Sequence, residues 1–272
     1  MSEFLSEALL NEIVNIAVDA GKEILDVYEK GFEVETKGDG SPLTMADQRA
    51  HRLIERRLGE LEIQIPVLSE ESSADVVEKR RDWKKFWLVD PLDGTKEFVK
   101  RNGEFTVNIA LIENGSPVLG VVHTPVSNVN HFAARGLGAF RSQANGNVSP
   151  ISVRSVQSAG VTMVASRSHA GPDVQKYQER LEQDMGQVTV ASMGSSLKIC
   201  LIAEGEADIY PRLGPTSEWD TAAAHCVLVE AGGCMVDVMG KPLEYNKENI
   251  LNPWFLAGGD PEVNWVKYAK TV

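Results

Sequence analysis

The sequence predicts a mixed α and β protein whose first half is α+β and whose second half is α/β. In the first half, two helical patterns precede a run of extended segments that ends near residue 134. From residue 161 onward, extended and helical segments alternate strictly. Residues 143–150 lie between these patterns and are rich in turn formers. We therefore divide the chain into residues 1–150 and 151–272, and expect one compact unit.

The first elements are two amphipathic helices with a polar loop between them. Apolar residues recur at helical spacing from Leu9 to Tyr28, and Gly31 follows where a helix end favours positive φ. The loop at 37–42 is rich in glycine and polar residues, so we expect it to be mobile and able to act as a lid. Thr44 and Asp47 have the spacing of a capping box at the start of the second helix.

The remaining elements follow from apolar runs separated by turn signals. In the first half, five predicted strands with a mostly antiparallel character occupy residues 63–68, 86–89, 105–112, 117–123 and 131–134. In the second half, predicted strands at 161–165, 188–191, 207–210 and 234–238 alternate with predicted helices at 172–185, 195–204 and 220–231.

Composition excludes several classes of protein. The chain has 27 Lys and Arg against 39 Asp and Glu, a formal charge of −12, which disfavours nucleic acid or an anionic membrane as the main partner. No basic and apolar leader is present, and no apolar run approaches the roughly 20 residues that span a bilayer. Three cysteines without a CxxC pair indicate reduced core thiols. We expect a cytoplasmic protein.

Three acidic clusters stand where predicted strands end or a predicted helix begins. Glu70 follows the strand at 63–68, Asp90 and Asp93 follow the strand at 86–89, and Asp220 begins the helix at 220–231. Two aspartates with the intervening carbonyl of Leu92 offer the hard oxygen ligands that Mg²⁺ prefers. The alternatives are a solvated turn at 69–72, an aspartate turn with an N-cap at Asp93, which would leave Asp90 unexplained, and an N-cap role for Asp220.

Together, three motifs resemble the signature of the inositol monophosphatase superfamily of lithium-sensitive, magnesium-dependent phosphatases. They are Glu70-Glu71, then Asp90-Pro-Leu-Asp-Gly-Thr95, then Trp219-Asp220 followed by eleven residues and Gly232-Gly233. The resemblance covers nearly the whole chain. It implies a layered αβαβα sandwich of the inositol monophosphatase and fructose-1,6-bisphosphatase type.

The resemblance also implies roles for individual residues. Two or three Mg²⁺ ions would be held by Glu70, Asp90, the Leu92 carbonyl, Asp93 and Asp220. Thr95, paired with Asp47, would position the attacking water and help to deprotonate it, and Glu70 would assist through the same network. The alternative role for Asp47 is structural, as the partner of Thr44 in the capping box.

A finer resemblance concerns the phosphate ester. Thr95-Lys-Glu-Phe98 resembles the 3'(2'),5'-bisphosphate nucleotidase branch more than the inositol branch, and the segments 165–169 and 194–198 are similar to its nucleotide-binding segments. The implied substrate is adenosine 3',5'-bisphosphate (PAP), cleaved to AMP and phosphate, with its sulfated analogue PAPS as a further candidate. The implied pathway is sulfate assimilation. The implied substrate-binding residues are Glu70, Leu92, Asp93, Gly94, Thr95, His169, Ser195, Lys198, Arg212 and Asp220.

The residues expected to set substrate specificity also have structural explanations that involve no ligand. Lys198 would be a solvated helix residue, His169 a loop histidine and Arg212 a surface ion-pair partner. For the whole chain, an inositol monophosphatase or another sugar phosphatase shares the metal site, and a noncatalytic metal-binding or nucleotide-binding protein could share the fold. A P-loop enzyme is excluded because no GxxxxGK[ST] motif is present. The sequence leaves open a homodimer and a peripheral association with the inner membrane.

Overall fold

The computed structural model describes residues 5–31, 34–36, 42–156, 160–165 and 171–269, with only the backbone described at 34–36, 42 and 43. Within these residues the helices are α1 (Glu7–Lys30), α2 (Met45–Gly59), α3 (Ala74–Lys79), α4 (Thr95–Val99), α5 (Pro172–Met185), α6 (Leu197–Ala203) and α7 (Ala222–Glu230). The strands are β1 (Val34–Thr36), β2 (Pro42–Thr44), β3 (Val67–Ser69), β4 (Lys85–Asp93), β5 (Thr106–Glu113), β6 (Ser116–Thr124), β7 (Val129–Ala134), β8 (Gly138–Ser142), β9 (Val148–Pro150), β10 (Val161–Ala165), β11 (Val188–Ser192), β12 (Ile209–Arg212), β13 (Cys234–Asp237) and β14 (Phe255–Gly258).

The first half is built on a seven-stranded sheet in the order β3-β4-β5-β6-β7-β8-β9. Each strand from β4 to β9 is antiparallel to the next, and β3 alone pairs in parallel. The antiparallel character predicted from the turn-rich connections is confirmed. The last strand ends at Pro150, while the division of the chain into two halves of one catalytic unit stays a prediction.

Both faces of this sheet are buried, because its central strands are apolar on both sides. In β4, Trp87 and Val89 point into a cluster with α1 and α2, whereas Phe86 and Leu88 point into a cluster with α6 and α7. Successive side chains of a strand face opposite sides, so one continuous apolar run serves two helical layers.

The second half adds a five-stranded mixed sheet in the order β11-β10-β12-β14-β13. Its inner face packs on α6 and α7 through residues such as Met235 and Phe255. Its outer face packs on α5 through Val161, Ile209 and Leu256. The layers therefore run helix, sheet, helix, sheet, helix, and the αβαβα fold class is confirmed.

Two sequence-based assignments in the first half were wrong. The strand predicted at 63–68 is reduced to Val67–Ser69. Pro66 has no N–H to donate to a neighbouring strand. The side-chain amide of Gln64 donates instead to the backbone carbonyls of Gly59 and Leu61, at and just after the end of α2. The segment 143–150, predicted to be turn-rich and without a strand, contains the turn that follows β8 and the whole of strand β9. All three residues of β9 are exposed, so this edge strand has no apolar pattern to reveal it.

Other predicted elements agree to within a few residues. The helix at 172–185 and the strand at 161–165 have the predicted bounds. Ser6 caps α1, and Gly31 ends it with φ 88°. Cys200 and Cys226 are buried and all three cysteines are free, as expected. The loop predicted to act as a lid lies, at 37–41, outside the described residues. No helix within the described ranges has the length and apolar character required to cross a membrane.

Candidate active site

Strand β4 delivers Asp90 and Asp93 to one end of the seven-stranded sheet. Its register against β5 shifts between these aspartates, so the backbone bulges there. Asp90 is 1% exposed, and its Oδ1 accepts from the Leu92 N–H at 3.0 Å. Gly94 has φ 90°, which turns the chain into α4 at Thr95, as predicted. The sequence motif is therefore a bulged strand end followed by a one-turn helix.

Asp220 reaches the same region from the second half. It is the last residue of a short 3-10 helix, Glu218–Asp220, and its Oδ2 accepts from the Ser217 N–H at 2.9 Å. The expected helix at 220–231 begins two residues later, at Ala222, so Asp220 is not its N-cap. Glu218 is fully buried and pairs with Lys247 at 2.6 Å. This ion pair anchors the turn that carries Asp220.

The three acidic clusters lie close together, because Ser69 pairs with Val89 at the ends of β3 and β4, and the 3-10 helix Glu218–Asp220 contacts β4. Burial raises the pKa of Asp90 well above its ordinary value, and the charges of Glu70, Asp93 and Asp220 raise it further, as does a hydrogen bond with Glu70. Burial and the charge of Asp93 raise the pKa of Asp220 to about 8. The backbone N–H of Glu70 donates to the Val89 carbonyl at 3.0 Å, which sets Glu70 beside the end of β4. Ser69 is buried, and residues 70–72 are half-buried in a turn, so Glu70 is partly shielded from solvent; its role as a metal ligand stays a prediction.

The chemistry of this donor set fits hard divalent cations. Buried carboxylates that disfavour one another's charge can ionise together when a cation neutralises them. Carboxylate and carbonyl oxygens are the ligands that Mg²⁺ takes. Within the described ranges, no three or more His, Cys, Asp or Glu side chains form a group arranged to hold an ion as it stands. The fit therefore rests on the type of donor and on the convergence of charge.

A buried lysine stands opposite these carboxylates. Lys198 lies in α6, is 7% exposed, and donates to the backbone carbonyl of Ser195. Burial lowers the pKa of Lys198 to about 8, although the charge of Asp93 acts in the opposite direction. The alternative of a solvated helix residue was wrong. Buried in this way, the ammonium is placed to receive an anionic group.

A cavity of about 130 Å³ joins the acidic and basic groups. Arg212 lines it and donates to the Pro215 carbonyl at 2.6 Å. Its position in the cavity wall favours a binding role over a surface ion pair, and the choice between the two stays a prediction. The cavity wall includes six residues that sequence reasoning had singled out, namely Asp93, Gly94, Ser195, Lys198, Arg212 and Asp220.

Sequence reasoning missed several residues at this site. Tyr210 and Phe255 line the cavity and contact each other edge to face at 5.9 Å. Tyr210 is the last residue of the strand predicted at 207–210, and that position was the one signal in the sequence that could have pointed to it. The strand that contains Phe255 was not recognised. Glu97 also lines the cavity, and Ser196 donates its backbone N–H to Asp93 at 2.6 Å.

The expected pair Asp47 and Thr95 is placed by neighbouring elements. Asp47 is 2% exposed and accepts from the N–H and hydroxyl of Thr44 at 2.8 and 2.7 Å, which confirms the capping box. The Thr95 hydroxyl donates to the Leu92 carbonyl at 3.3 Å. Helix α4 starts at Thr95 and contacts β2. Strand β2 is followed directly by α2, in which Asp47 is the third residue. Their catalytic role stays a prediction. His169 lies outside the described residues.

Comparison with models of protein families identifies the family of this chain. The model of the inositol monophosphatase family matches residues 6–262. The chain belongs to the inositol monophosphatase family. Members of this family are generally magnesium-dependent, in keeping with the carboxylate cluster.

Relatives within the family place the chain more finely. It is 48% identical over 250 residues to the 3'(2'),5'-bisphosphate nucleotidase CysQ of Escherichia coli K12, a match that covers 91% of this chain and 98% of that protein. It is 37% identical over 262 residues to the CysQ of Haemophilus influenzae, covering 96% of each. The crystal structure of CysQ from Bacteroides thetaiotaomicron superposes with a TM-score of 0.81 at 42% identity, covering 92% of this chain and 97% of that one. The IMPase of Thermotoga maritima gives 0.76 at 26% identity, covering 96% of each chain.

Proposed function

We propose that this protein is a magnesium-dependent 3'(2'),5'-bisphosphate nucleotidase that converts PAP to AMP and phosphate. The observation that carries the proposal is one cavity that combines Asp93 and Asp220 with Lys198 and Arg212. A substrate with two phosphates needs a metal-binding side for the phosphate that is cleaved and a cationic side for the phosphate that stays. The CysQ relatives given above bear the name 3'(2'),5'-bisphosphate nucleotidase.

The acidic side would hold the metal. We assign Mg²⁺ ligation to the carboxylates of Glu70, Asp90, Asp93 and Asp220 and to the Leu92 carbonyl, with two or three ions in all. When bound, Mg²⁺ supplies positive charge that stabilises the phosphoryl oxygens and lowers the pKa of water. Burial and mutual repulsion both raise the pKa of Asp90 and Asp220, and a bound cation would relieve the repulsion.

The chain's own groups would handle the water and its proton. The Thr95 hydroxyl, held at the start of α4, would orient the water for attack on phosphorus. Asp47 would accept the proton through Thr95, and Glu70 would assist through the metal-bound network. Asp47 keeps its bonds to Thr44 in this arrangement, because a carboxylate offers more than two acceptor positions.

The basic side would select the bisphosphate. Lys198 and Arg212 would bind the phosphate that is not cleaved, and Gly94 and Ser195 would contact the substrate with their backbone. His169 would pack on the adenine ring. Tyr210 and Phe255 add an aromatic wall to the same cavity. PAPS, which also carries a 3'-phosphate, would be a second substrate. We place the protein in the cytoplasm, in sulfate assimilation, where this hydrolysis removes a by-product.

The first experiment is phosphate release by the purified protein with Mg²⁺. PAP, inositol 1-phosphate and fructose 1,6-bisphosphate are compared, each with and without lithium and a chelator. We expect PAP to be preferred, and chelator and lithium each to suppress release. Preference for inositol 1-phosphate or fructose 1,6-bisphosphate would keep the metal site and overturn the assignment of Lys198 and Arg212. No release from any substrate would favour a noncatalytic binding protein.

The Lys198→Met variant tests the basic side directly. A charge-assisted hydrogen bond contributes about 1.5–3 kcal/mol, so we expect the KM for PAP to rise roughly 10- to 100-fold. The KM for a nucleoside 3'-monophosphate should change little. Lys100→Met, at the exposed end of α4, is the control. Equal effects on both substrates would contradict the proposed role.

A further inference from the structure

Asp93 is held by hydrogen bonds from both halves of the chain. Its Oδ2 accepts from the Ser196 N–H at 2.6 Å and from the Asn108 side-chain amide at 3.4 Å. Asn108 lies on β5, in the seven-stranded sheet, and Ser196 immediately precedes α6. Within the described part of the chain, the hydrogen bonds to Asp93 involve Oδ2 only. One carboxylate oxygen is thus engaged by protein donors, and Oδ1 is left for a ligand.

The hydrogen bonds behind Asp93 form a series in which each donor and each acceptor can be assigned. The Ser196 hydroxyl donates to Oδ1 of Asn108 at 2.9 Å, because a carbonyl oxygen can only accept. Since the Ser196 proton is used there, the Thr106 hydroxyl donates to the Ser196 hydroxyl oxygen at 2.9 Å. The order is therefore Thr106 to Ser196 to Asn108 to Asp93. The opposite amide orientation would face the Asn108 carbonyl against a carboxylate.

The sheet and the loop before α6 fix this series of hydrogen bonds in place. Thr106 pairs with Asp93 and Asn108 pairs with Asp90, and residues two apart on a strand share a face. Thr106, Asn108 and Ser196 are all buried, at 0–3% exposure. On the loop side, the Gly194 N–H donates to the Glu104 carboxylate at 2.8 Å. A Cβ at Gly194 would lie 2.8 Å from the Glu104 carbonyl oxygen, so the loop packs closely on the first half.

We propose that Thr106, Asn108 and Ser196 are positioning residues that orient Asp93 for Mg²⁺, an inference that rests on the proposed function. Buried polar groups with every partner satisfied hold a geometry more strictly than packing alone. A metal-ligating carboxylate needs such partners, and losing one typically weakens metal binding 10- to 100-fold. The network also joins the two halves of the chain. Because Lys198 follows Ser196 by two residues, the network fixes the position of Asp93 relative to Lys198.

The test measures Mg²⁺ binding by the full chain with isothermal titration calorimetry, in the absence of substrate. Thr106→Val removes one hydroxyl at nearly constant volume, and Ser196→Ala removes the hydroxyl but keeps the backbone N–H that bonds to Asp93. We expect each to raise the Kd for Mg²⁺ about tenfold. Thr106→Ser should restore binding, because it keeps the hydroxyl.

The matched control is Thr124→Val. Thr124 is a buried threonine on β6 of the same sheet, and its hydroxyl has no hydrogen-bond partner in the described structure. It should leave the Kd for Mg²⁺ unchanged. If Thr106→Val and Ser196→Ala lower the melting temperature without changing that Kd, the residues are structural only and the proposal is overturned. If the wild type neither binds Mg²⁺ nor releases phosphate, the proposed function fails first.

Discussion

At the scale of single residues, the main feature is a group of carboxylates buried together. A carboxyl group whose pKa is raised on folding, as that of Asp90 is, stabilises the fold at low pH and loses that contribution as the pH rises. At neutral pH, keeping the whole cluster ionised therefore opposes folding unless cations offset its charge. Function and stability make opposite demands on Asp90, as is common at active sites.

The Asp90→Asn variant separates these two demands. Without Mg²⁺ we expect its melting temperature to equal or exceed that of the wild type, because one repelling charge is gone. Its kcat should fall on the order of 10²-fold or more, since charge stabilisation by a metal amounts to several kcal/mol at about 1.4 kcal/mol per tenfold. Differential scanning fluorimetry and phosphate release measure the two effects. Asp75→Asn, at an exposed residue of α3, should change neither. Undiminished turnover in Asp90→Asn would remove that residue from the proposed site.

At the scale of elements, the packing of α7 on β6 sets the position of the Asp220 turn. Helix α7 starts two residues after Asp220, and every residue from Ala222 to Leu228 is buried. Gly120 of β6 faces it so closely that a Cβ there would lie 2.2 Å from the Ala223 carbonyl oxygen. A backbone atom cannot move aside as a flexible side chain can. The small residue on the strand therefore allows the helix its close approach.

Gly120→Ala should consequently destabilise the protein. Overpacking of a core typically costs about 1–3 kcal/mol of unfolding free energy, and the clash here involves backbone. Gly59→Ala is the control, because Gly59 has no positive φ, its Cβ would meet nothing within 4 Å, and alanine has the higher helix propensity for this last residue of α2. We expect Gly59→Ala to stabilise the fold slightly, by roughly 0.5–1 kcal/mol. Urea unfolding measures both. A Gly120→Ala variant as stable as the wild type would show that α7 can shift on the sheet.

At the scale of the whole molecule, the two sheets share one helical layer, and that layer buries a titratable group. His225 of α7 accepts or donates one hydrogen bond with the Tyr245 hydroxyl at 2.9 Å. Burial lowers the pKa of His225 from 6.5 to about 4. Between these values the unfolded chain binds more protons than the folded one. The stability of the fold must then fall as the pH drops from 6.5 towards 4.

The difference between wild type and His225→Asn isolates this effect. Asparagine keeps a polar group near the Tyr245 hydroxyl but does not titrate in this range. We expect the wild type to lose up to roughly 3 kcal/mol of unfolding free energy relative to the variant between pH 6.5 and 4. Urea unfolding at a series of pH values gives both curves. Parallel curves would mean that water or a local opening lets His225 protonate within the folded state.

Much of the fold was predictable because its signals are local. The capping box of Thr44 and Asp47, the left-handed residues Gly31 and Gly94, and the apolar run of β4 each depend on neighbours in sequence. The edge strand β9 was not predictable, since an exposed strand needs no apolar pattern. The cavity-lining Phe255 was missed for a related reason, because its strand pairs with partners far away in the chain.

The sequence by itself determined the chemistry of the candidate site: the acidic motifs, their order and the family resemblance. Only the tertiary structure decided how these groups are arranged. Burial separates Lys198 from solvent, the turn at Glu218–Asp220 replaces the expected helix start, and Ser196 reaches across from the second half to Asp93. The physical reason is that donors, charges and desolvation act through space, over contacts such as that between Ser196 and Asp93, which are 103 positions apart in the chain.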